Sequence, residues 1–549
     1  MNVCTIDEIR SSETLARSTT GLSVETLLEN AAHAVCDVIL HHGAFAAANS
    51  ALFVCGQVGR EPRTCSDSTG IAGAIAARHA HALGFDTRIL VVDNPTECRA
   101  QTPSLNSYVA VAQNCDVPCT TFDTTESLNE ILSPHTLIVD AILNGSAGVT
   151  PTIAELINAI NTARLPVLSI GVPSGVCANT GAIAECAINA LVTIAFGSPL
   201  RGCVVAPGAT RCGDLLVTSM SLPRVAFDTH DTNVSLFVPR PLRPRLAYGH
   251  KGTFGDTLFI AGAGTYYGAP VLAAMASLKS GAGYARLACP ASMVSSLAVI
   301  APELVFVPQH ETEEQTIAES NADALIAMSD GVDFVVIGPG VSTRPSTQSL
   351  VQRVVSGTCK PVLIDGDGLT AMVGHADILL RRRVPTVLTP HAGEMARLLQ
   401  TTVRNVVSDP IEAARTASTA LNSIVVLKGH RSVVASPDGR ATVNTTGNDG
   451  MGTAGSGDVL TGVVASMVGL GMSVGDAVRI AVFIHGLAGD LAMACLGADG
   501  MTARDILGQL PAAMRMMRNR EDLDALVRAN EIPKAPLSNA ARAARQRKC

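Results

Sequence analysis

The stretch 443–462 reads V-N-T-T-G-N-D-G-M-G-T-A-G-S-G-D-V-L-T-G. Its glycines at 447, 450, 452, 455 and 457 let the backbone turn freely and approach a ligand closely. Directly after Asp458, the residues Val459, Leu460, Val463, Val464 and Met467 recur at helical spacing. That period predicts a helix beginning at Gly455-Ser456-Gly457, with free N–H groups and the positive end of its dipole facing an anion. A carboxylate at that place, Asp458, would repel a bound phosphate. It makes sense as a base that takes a proton from a hydroxyl attacking a phosphoryl group. The same residues also fit an N-capping Asp behind a flexible loop, so the stretch alone leaves both readings open.

Upstream of this loop, short apolar strands alternate with helical segments. Expected strands at 257–261, 285–288, 334–337, 362–365, 386–388 and 424–427 surround expected helices at 269–280 and 347–355. Four of the strands run into ligand-type loops: Gly338-Pro-Gly340, Asp365-Gly-Asp367, Thr389-Pro-His391 and Lys428-Gly429. The first half of the chain repeats the alternation. Its expected strands are 51–55, 88–92, 137–139, 166–170 and 191–196, its helices 23–35, 70–83 and 153–162, after a polar opening segment and with a polar, irregular stretch at 59–69. Apolar strands covered on both faces predict α/β folds with parallel sheets, a Rossmann-like three-layer domain first and a second α/β domain after it. Ligands of such sheets bind at the carboxyl ends of strands. In the first half the loops after Cys55, Val139 and Ile170 are therefore the candidate site.

Prolines at 223, 239, 241 and 244 punctuate the junction. The expected division is a first domain at 1–225, a linker at 226–245, a second domain at 246–520 and a mobile basic tail at 521–549. With 47% hydrophobic and only 3% aromatic residues, the 549-residue chain fits two buried α/β domains rather than disorder. A net charge of −7 gives no reason to expect nucleic acid as a partner. Fifteen cysteines without a C-x-x-C pair point to a reducing compartment, and Cys115 and Cys119 are read as structural rather than metal-binding. The charge-free stretches 257–278 and 459–475 are broken by glycines and read as core, not membrane spans. No transit peptide is legible before the first helix, so the expectation is cytoplasmic.

In their order, several motifs of the second half resemble those of the bifunctional NAD(P)H-hydrate repair enzymes, which join an NAD(P)HX epimerase domain to a ribokinase-like NAD(P)HX dehydratase. They are His250-Lys-Gly252 with Gly255-Asp256, Tyr267-Gly-Ala-Pro270, Ser280-Gly-Ala-Gly283, Gly338-Pro-Gly340, Thr389-Pro-His-Ala-Gly-Glu394, Leu427-Lys-Gly429 and Thr446-Gly-Asn448 through Gly455-Ser-Gly-Asp458. The resemblance implies phosphorylation of the hydrate hydroxyl by ATP or ADP with Mg²⁺, then loss of phosphate. It implies Asp458 as the catalytic base and Lys428, Gly429, His430, Arg431, Ser432 and Gly457 as the nucleotide site. Ala269, Gly340, His391 and Asp458 would line the hydrate pocket. The partners implied are small molecules, in a homo-oligomer. Plainer rivals are a loop histidine for His391 and a surface cation for Lys428. Two readings stay open for the acids: Glu394 orients Mg²⁺ through water or is a first-turn carboxylate, and Asp365 and Asp367 touch substrate or cap the turn between them. A ribokinase-like vitamin-precursor kinase is the alternative activity.

The first half resembles the epimerase family at Leu28-Glu-Asn-Ala31, Val139-Asp-Ala141, Pro173-Ser-Gly175 and Asn179-Thr-Gly181. It departs from it where chemistry is required. The family's phosphate and potassium loop is replaced by Ser68, Thr69, Gly70, Ile71, Ala72 and Gly73, and Gly171 stands where the family has an acid. Glycine moves no proton. Asp140 and Ser174 would make an incomplete K⁺ site. The expectation is a degenerate epimerase half, with a fully bifunctional enzyme as the alternative.

Overall fold

The computed structural model describes residues 1–56, 64, 68–92, 104–122, 128–145, 148–223, 232–530 and 532. Most of the polar stretch expected at 59–69 lies outside them. The chain divides into two compact units, Met1–Thr232 and Asn233–Glu531.

The first unit is built on a seven-stranded, all-parallel sheet. Its strands are β1 (Ser50–Gly56), β2 (Asp86–Val92), β3 (Cys119–Thr121), β4 (Leu137–Ala141), β5 (Val167–Ile170), β6 (Val192–Phe196) and β7 (Asp214–Thr218). Their order is β3-β2-β1-β4-β5-β6-β7. Successive side chains of a strand point to opposite faces. Along β1, Ala51, Phe53 and Cys55 accordingly enter one core cluster while Leu52 and Val54 enter another. Glycines allow the helix Thr69–Ala82 to press onto this sheet: a Cβ on Gly70 would lie 2.2 Å from the Gly56 carbonyl oxygen. The opening segment, expected to be merely polar, is a helix from Ile6 to Thr20. Thr5 and Glu8 close a capping box at its start, and Ile6, Ile9 and Ala16 are buried beneath it.

The second unit carries a ten-stranded sheet: β8 (Val234–Leu236), β9 (Asp256–Ile260), β10 (Tyr284–Pro290), β11 (Val305–Gln309), β12 (Phe334–Ile337), β13 (Val362–Ile364), β14 (Thr386–Leu388), β15 (Ile424–Leu427), β16 (Val433–Ala435) and β17 (Ala441–Val443). The order is β11-β10-β9-β12-β13-β14-β15-β16-β17-β8, parallel throughout except where β16 pairs with β15 and β17. Because β12, β13, β14 and β15 are parallel neighbours, the four loops that follow them open on one side of the sheet. The helix Ser456–Gly469 packs against the helix Gly268–Lys279 at van der Waals distance. A Cβ on Gly462 would sit 2.0 Å from the Ala273 carbonyl oxygen. The charge-free stretches 257–278 and 459–475 lie in these strands, loops and helices. One described helix, Val474–Leu496, is long and apolar enough to cross a membrane, and most of it is buried in this unit's core.

Two expected boundaries differ from the structure. The described part of the 226–245 linker is not a spacer. Val234–Leu236 pairs with β17, and buried Leu242 donates its N–H to the Met517 carbonyl at 3.0 Å. The segment has polar, proline-rich neighbours, but its own apolar residues find a sheet and a core. The start of the expected tail is the helix Arg520–Asn530, with Leu523 buried; most of the remainder lies outside the described residues.

Candidate active site

The helix predicted after the glycine loop spans Ser456–Gly469, and Gly455 holds its N-cap position at φ +88°. No side chain caps this end. The amides of its first turn are thus open to an anion. The loop leading into it is pinned from behind. Asp490 accepts the Gly447 N–H at 3.0 Å and the Asn448 side-chain amide at 2.9 Å.

Asp458 stands in the first turn of that helix, partly buried. Burial, with Asp365 adding a like charge, lifts its carboxyl to about 7 against the opposing pull of Lys428. The N-cap alternative is not what forms: the cap position belongs to Gly455, and the structure assigns Asp458 no hydrogen bond that would cap the turn.

Around it lies a set of charges at the strand ends. Lys428, directly after β15, donates to Asp365 Oδ1 at 2.8 Å and lies 4.0 Å from Glu394. Burial alone would depress the ammonium, but the carboxylates of Asp365 and Glu394 outweigh it and hold Lys428 above the usual lysine value. Asp365, at the end of β13, is 3% exposed and also accepts from Thr389 at 2.7 Å and Thr461 at 3.0 Å. It is therefore neither a turn cap nor a group free to hold a metal. Its three donors hold a carboxylate beneath the helix start. Asp367 accepts the Ser342 N–H at 2.9 Å, as a loop-fixing acid would; burial and the nearby Asp365 push its carboxyl up.

The structure brings Gly457 and Lys428 together: a Cβ on Gly457 would lie 3.1 Å from Lys428 Nζ. Gly429, His430, Arg431 and Ser432 form the turn from β15 to β16, closed by Ser432 Oγ donating to the Gly429 carbonyl. Burial and Arg431 lower the His430 imidazole. Ala269 and Gly340 also meet. A Cβ on Gly340, whose φ is +60°, would lie 3.3 Å from that of Ala269 and 2.6 Å from that of Tyr266. Leu272, one turn beyond Ala269, rests against Gly455.

His391 combines both of its readings. Its Nδ1 caps the helix Ala392–Leu398, accepting from the Gly393 N–H at 3.0 Å, while Glu394 accepts the His391 N–H at 2.8 Å. Yet the side chain is 57% exposed, and His391 and Lys428 are backbone neighbours through a bridge between β14's loop and β15. The ring can therefore reach a ligand while its other nitrogen holds the loop. Sequence reasoning did not single out Thr389, Thr461 or Asp490. Thr461 was findable, since it lies three residues after Asp458 on the same helix face.

A nucleotide with Mg²⁺ fits these residues. The uncapped amides, Gly457 and Lys428 suit phosphates, and Mg²⁺ ordinarily reaches a protein through phosphates, waters and one or two carboxylates. Glu394, Asp458 and Asp367 are the site's carboxylates that accept from no Lys or Thr hydrogen-bond donor among the described residues. The first unit fits K⁺ less well. Asp140 is fully buried and accepts from Ser169 Oγ, Ser174 N–H, Ser174 Oγ and the Ile142 N–H, so both oxygens are taken. Gly171, at φ +81°, faces the methyl of Thr69 and offers no carboxylate.

Both halves of the chain are similar to known proteins. The family described as NAD(P)H-hydrate dehydratase matches residues 257–512, and that described as YjeF-related protein N-terminus matches residues 24–202. The bifunctional NAD(P)H-hydrate repair enzyme Nnr of Thermofilum pendens is 37% identical over 538 residues, covering 98% of this chain and 100% of that one. Its namesake from Escherichia coli is 30% identical over 516 residues, 92% of each chain. A solved structure, the ADP/ATP-dependent NAD(P)H-hydrate dehydratase from Bacillus subtilis co-crystallized with ATP/Mg²⁺, is 27% identical and covers 52% of this chain and 100% of that one, with a TM-score of 0.44. Matched in both halves and at this identity along nearly its whole length, the chain belongs to the bifunctional NAD(P)H-hydrate repair enzymes.

Proposed function

We propose that the second unit converts the S-epimer of hydrated NADH or NADPH back to the dinucleotide, with ATP or ADP as phosphoryl donor, and that the first unit does not epimerise. The observation that carries the reading is a carboxyl lifted to about 7, in the first turn of an uncapped helix and beside the Lys428 cation. A group poised near neutrality accepts a proton and still ionises at working pH.

Hydroxide is a poor leaving group, and phosphate is a good one. The nucleotide, with its Mg²⁺, supplies the phosphoryl group. Asp458 takes the proton from the hydrate hydroxyl as that oxygen bonds to phosphorus. The amides of the helix start and Lys428 stabilise the charge spread over the transferring group. The ring nitrogen's lone pair then expels phosphate, and loss of a ring proton restores the dihydropyridine. Asp365 acts indirectly, holding Lys428 in place and raising Asp458.

The test is incubation with nucleotide, Mg²⁺ and hydrated NADH. Recovery of the dihydropyridine absorbance is expected; a phosphorylated product that accumulates without it would instead establish a small-molecule kinase. For the first unit, support comes from Gly171 and from the saturated Asp140. Given only the R-epimer, at a pH where spontaneous epimerisation is slow, the protein should leave it largely unrepaired. Rapid repair would sink that half of the proposal.

A further inference from the structure

A cleft of about 930 Å³ in the second unit lies away from the catalytic residues. It borders Leu470 and Gly471, just past the end of the Ser456–Gly469 helix whose first turn carries Asp458. Fourteen residues at 1.5 Å each separate the two ends by about 20 Å. Among the described residues its lining includes Arg240, Arg243, Arg245, Arg440, Arg479 and Arg518 but only one carboxylate, Asp476. That concentration of positive charge occurs in a chain whose net charge is −7.

The arginines are held in place rather than scattered. Arg240, Arg243 and Arg245 alternate with Pro239, Pro241 and Pro244, whose rings fix φ. Leu242 anchors this run through its N–H bond to Met517, and Arg518 donates to the Arg243 carbonyl at 2.5 Å. Arg245 stacks 3.5 Å over the Phe254 ring and donates to the Gly281 carbonyl. Arg479 pairs with Asp476 at 2.7 Å. Arg240 and Arg243 make no side-chain hydrogen bond or ion pair among the described residues. Burial and the neighbouring Arg245 lower the Arg518 guanidinium. Asp476 faces Arg479 and Arg240, and Asp438 lies 3.9 Å from Arg440, so the six cations outnumber the carboxylates beside them. Planar guanidinium groups match phosphate oxygens two at a time, and Phe237, Phe254 and Met472 add apolar surface to the same cleft. The volume falls in the range of small-molecule sites.

We infer that this cleft is a second, non-catalytic binding site for a small molecule bearing a di- or triphosphate group. The inference does not depend on the proposed reaction. The shared chemistry has two sources, a free polyphosphate and a nucleotide, and calorimetry on the full chain distinguishes them with inorganic tripolyphosphate and with ATP. Tripolyphosphate should bind the parent and Lys428→Met alike. The double variant Arg240→Ala/Arg243→Ala should weaken that binding at least tenfold, and Arg404→Ala, an exposed arginine elsewhere in this unit, should not. Higher salt should weaken it too. If ATP shows two sites, one lost in Lys428→Met and one in the double variant, the occupant is a nucleotide. If ATP shows only the Lys428-dependent site, it is a free polyphosphate. Turnover at saturating nucleotide should stay within twofold in the double variant, and its unliganded Tm should match the parent's. Equal binding of tripolyphosphate to parent and double variant, or tripolyphosphate binding only at the Lys428-dependent site, overturns the inference.

Discussion

Replacing Asp458 with asparagine should cut turnover steeply and at the same time stabilise the protein, with a size that depends on pH. In the folded state the carboxyl titrates at about 7; in the unfolded chain it returns to about 3.9. The fold therefore binds this proton more tightly than the unfolded chain does. The parent is favoured at low pH and loses stability as pH rises from about 4 to about 7. At about 1.36 kcal/mol per pH unit, the ionised carboxylate costs the fold at most about 4 kcal/mol at pH 8. Asparagine has the same shape and no such titration. The variant should thus be the more stable protein at pH 8, and its advantage should shrink by roughly 2–3 kcal/mol at pH 5. For a unit of this size that corresponds to about 2–4 °C in Tm per kcal/mol. Unfolding of the full chain by heat and by urea at both pH values measures the gap, and dihydropyridine recovery measures turnover, expected to fall by about 10²–10⁴-fold. An advantage that is the same at pH 5 and pH 8, or a variant that turns over like the parent, would refute the reasoning.

The same carboxyl should give kcat an acid limb near pH 7 in the parent. Asp365→Asn, removing a like charge, should move that limb down by roughly one pH unit, and Lys428→Met, removing the opposing cation, should move it up by about as much; the profiles are read at saturating nucleotide. Gly457→Ala keeps helical backbone but brings a methyl within 3.1 Å of Lys428 Nζ, so the nucleotide KM should rise roughly tenfold while Tm stays close to the parent's. Gly340→Ala meets both a φ of +60° and a 2.6 Å approach to Tyr266. It should cost about 1–3 kcal/mol of stability and raise the KM for the hydrate, both measurable on the same preparation.

Six of the second unit's ten strands were legible as short apolar runs leading into turn-type loops, and 334–337, 386–388 and 424–427 form as read; β8, β11, β16 and β17 were not expected. The helix after the glycine loop was legible for the same reason: a change of hydrophobic period at Asp458. Other features had no local signal. The strand Val234–Leu236 is three residues in a proline-rich setting, and what makes it a strand is a partner about two hundred residues later. The opening helix Ile6–Thr20 is amphipathic, with a mostly polar surface, and was betrayed only by its capping box. The sequence left Asp365 open between a substrate contact and a turn cap, because its local neighbours are glycine and aspartate. The three groups that define it, Lys428, Thr389 and Thr461, arrive from different elements. Charge networks assembled from strand ends belong to the topology rather than to any one segment.

The pairing of β8 with β17 also bears on how the protein is made and how it should be cut. During synthesis β8 leaves the ribosome long before β17 exists, so the second sheet has a vacancy at its rim until residue 443 has been translated. A recombinant fragment begun at 246 would carry that vacancy permanently, leaving the backbone of β17 free to recruit strands from other molecules. An expression boundary placed at Asn233 or earlier keeps β17 paired.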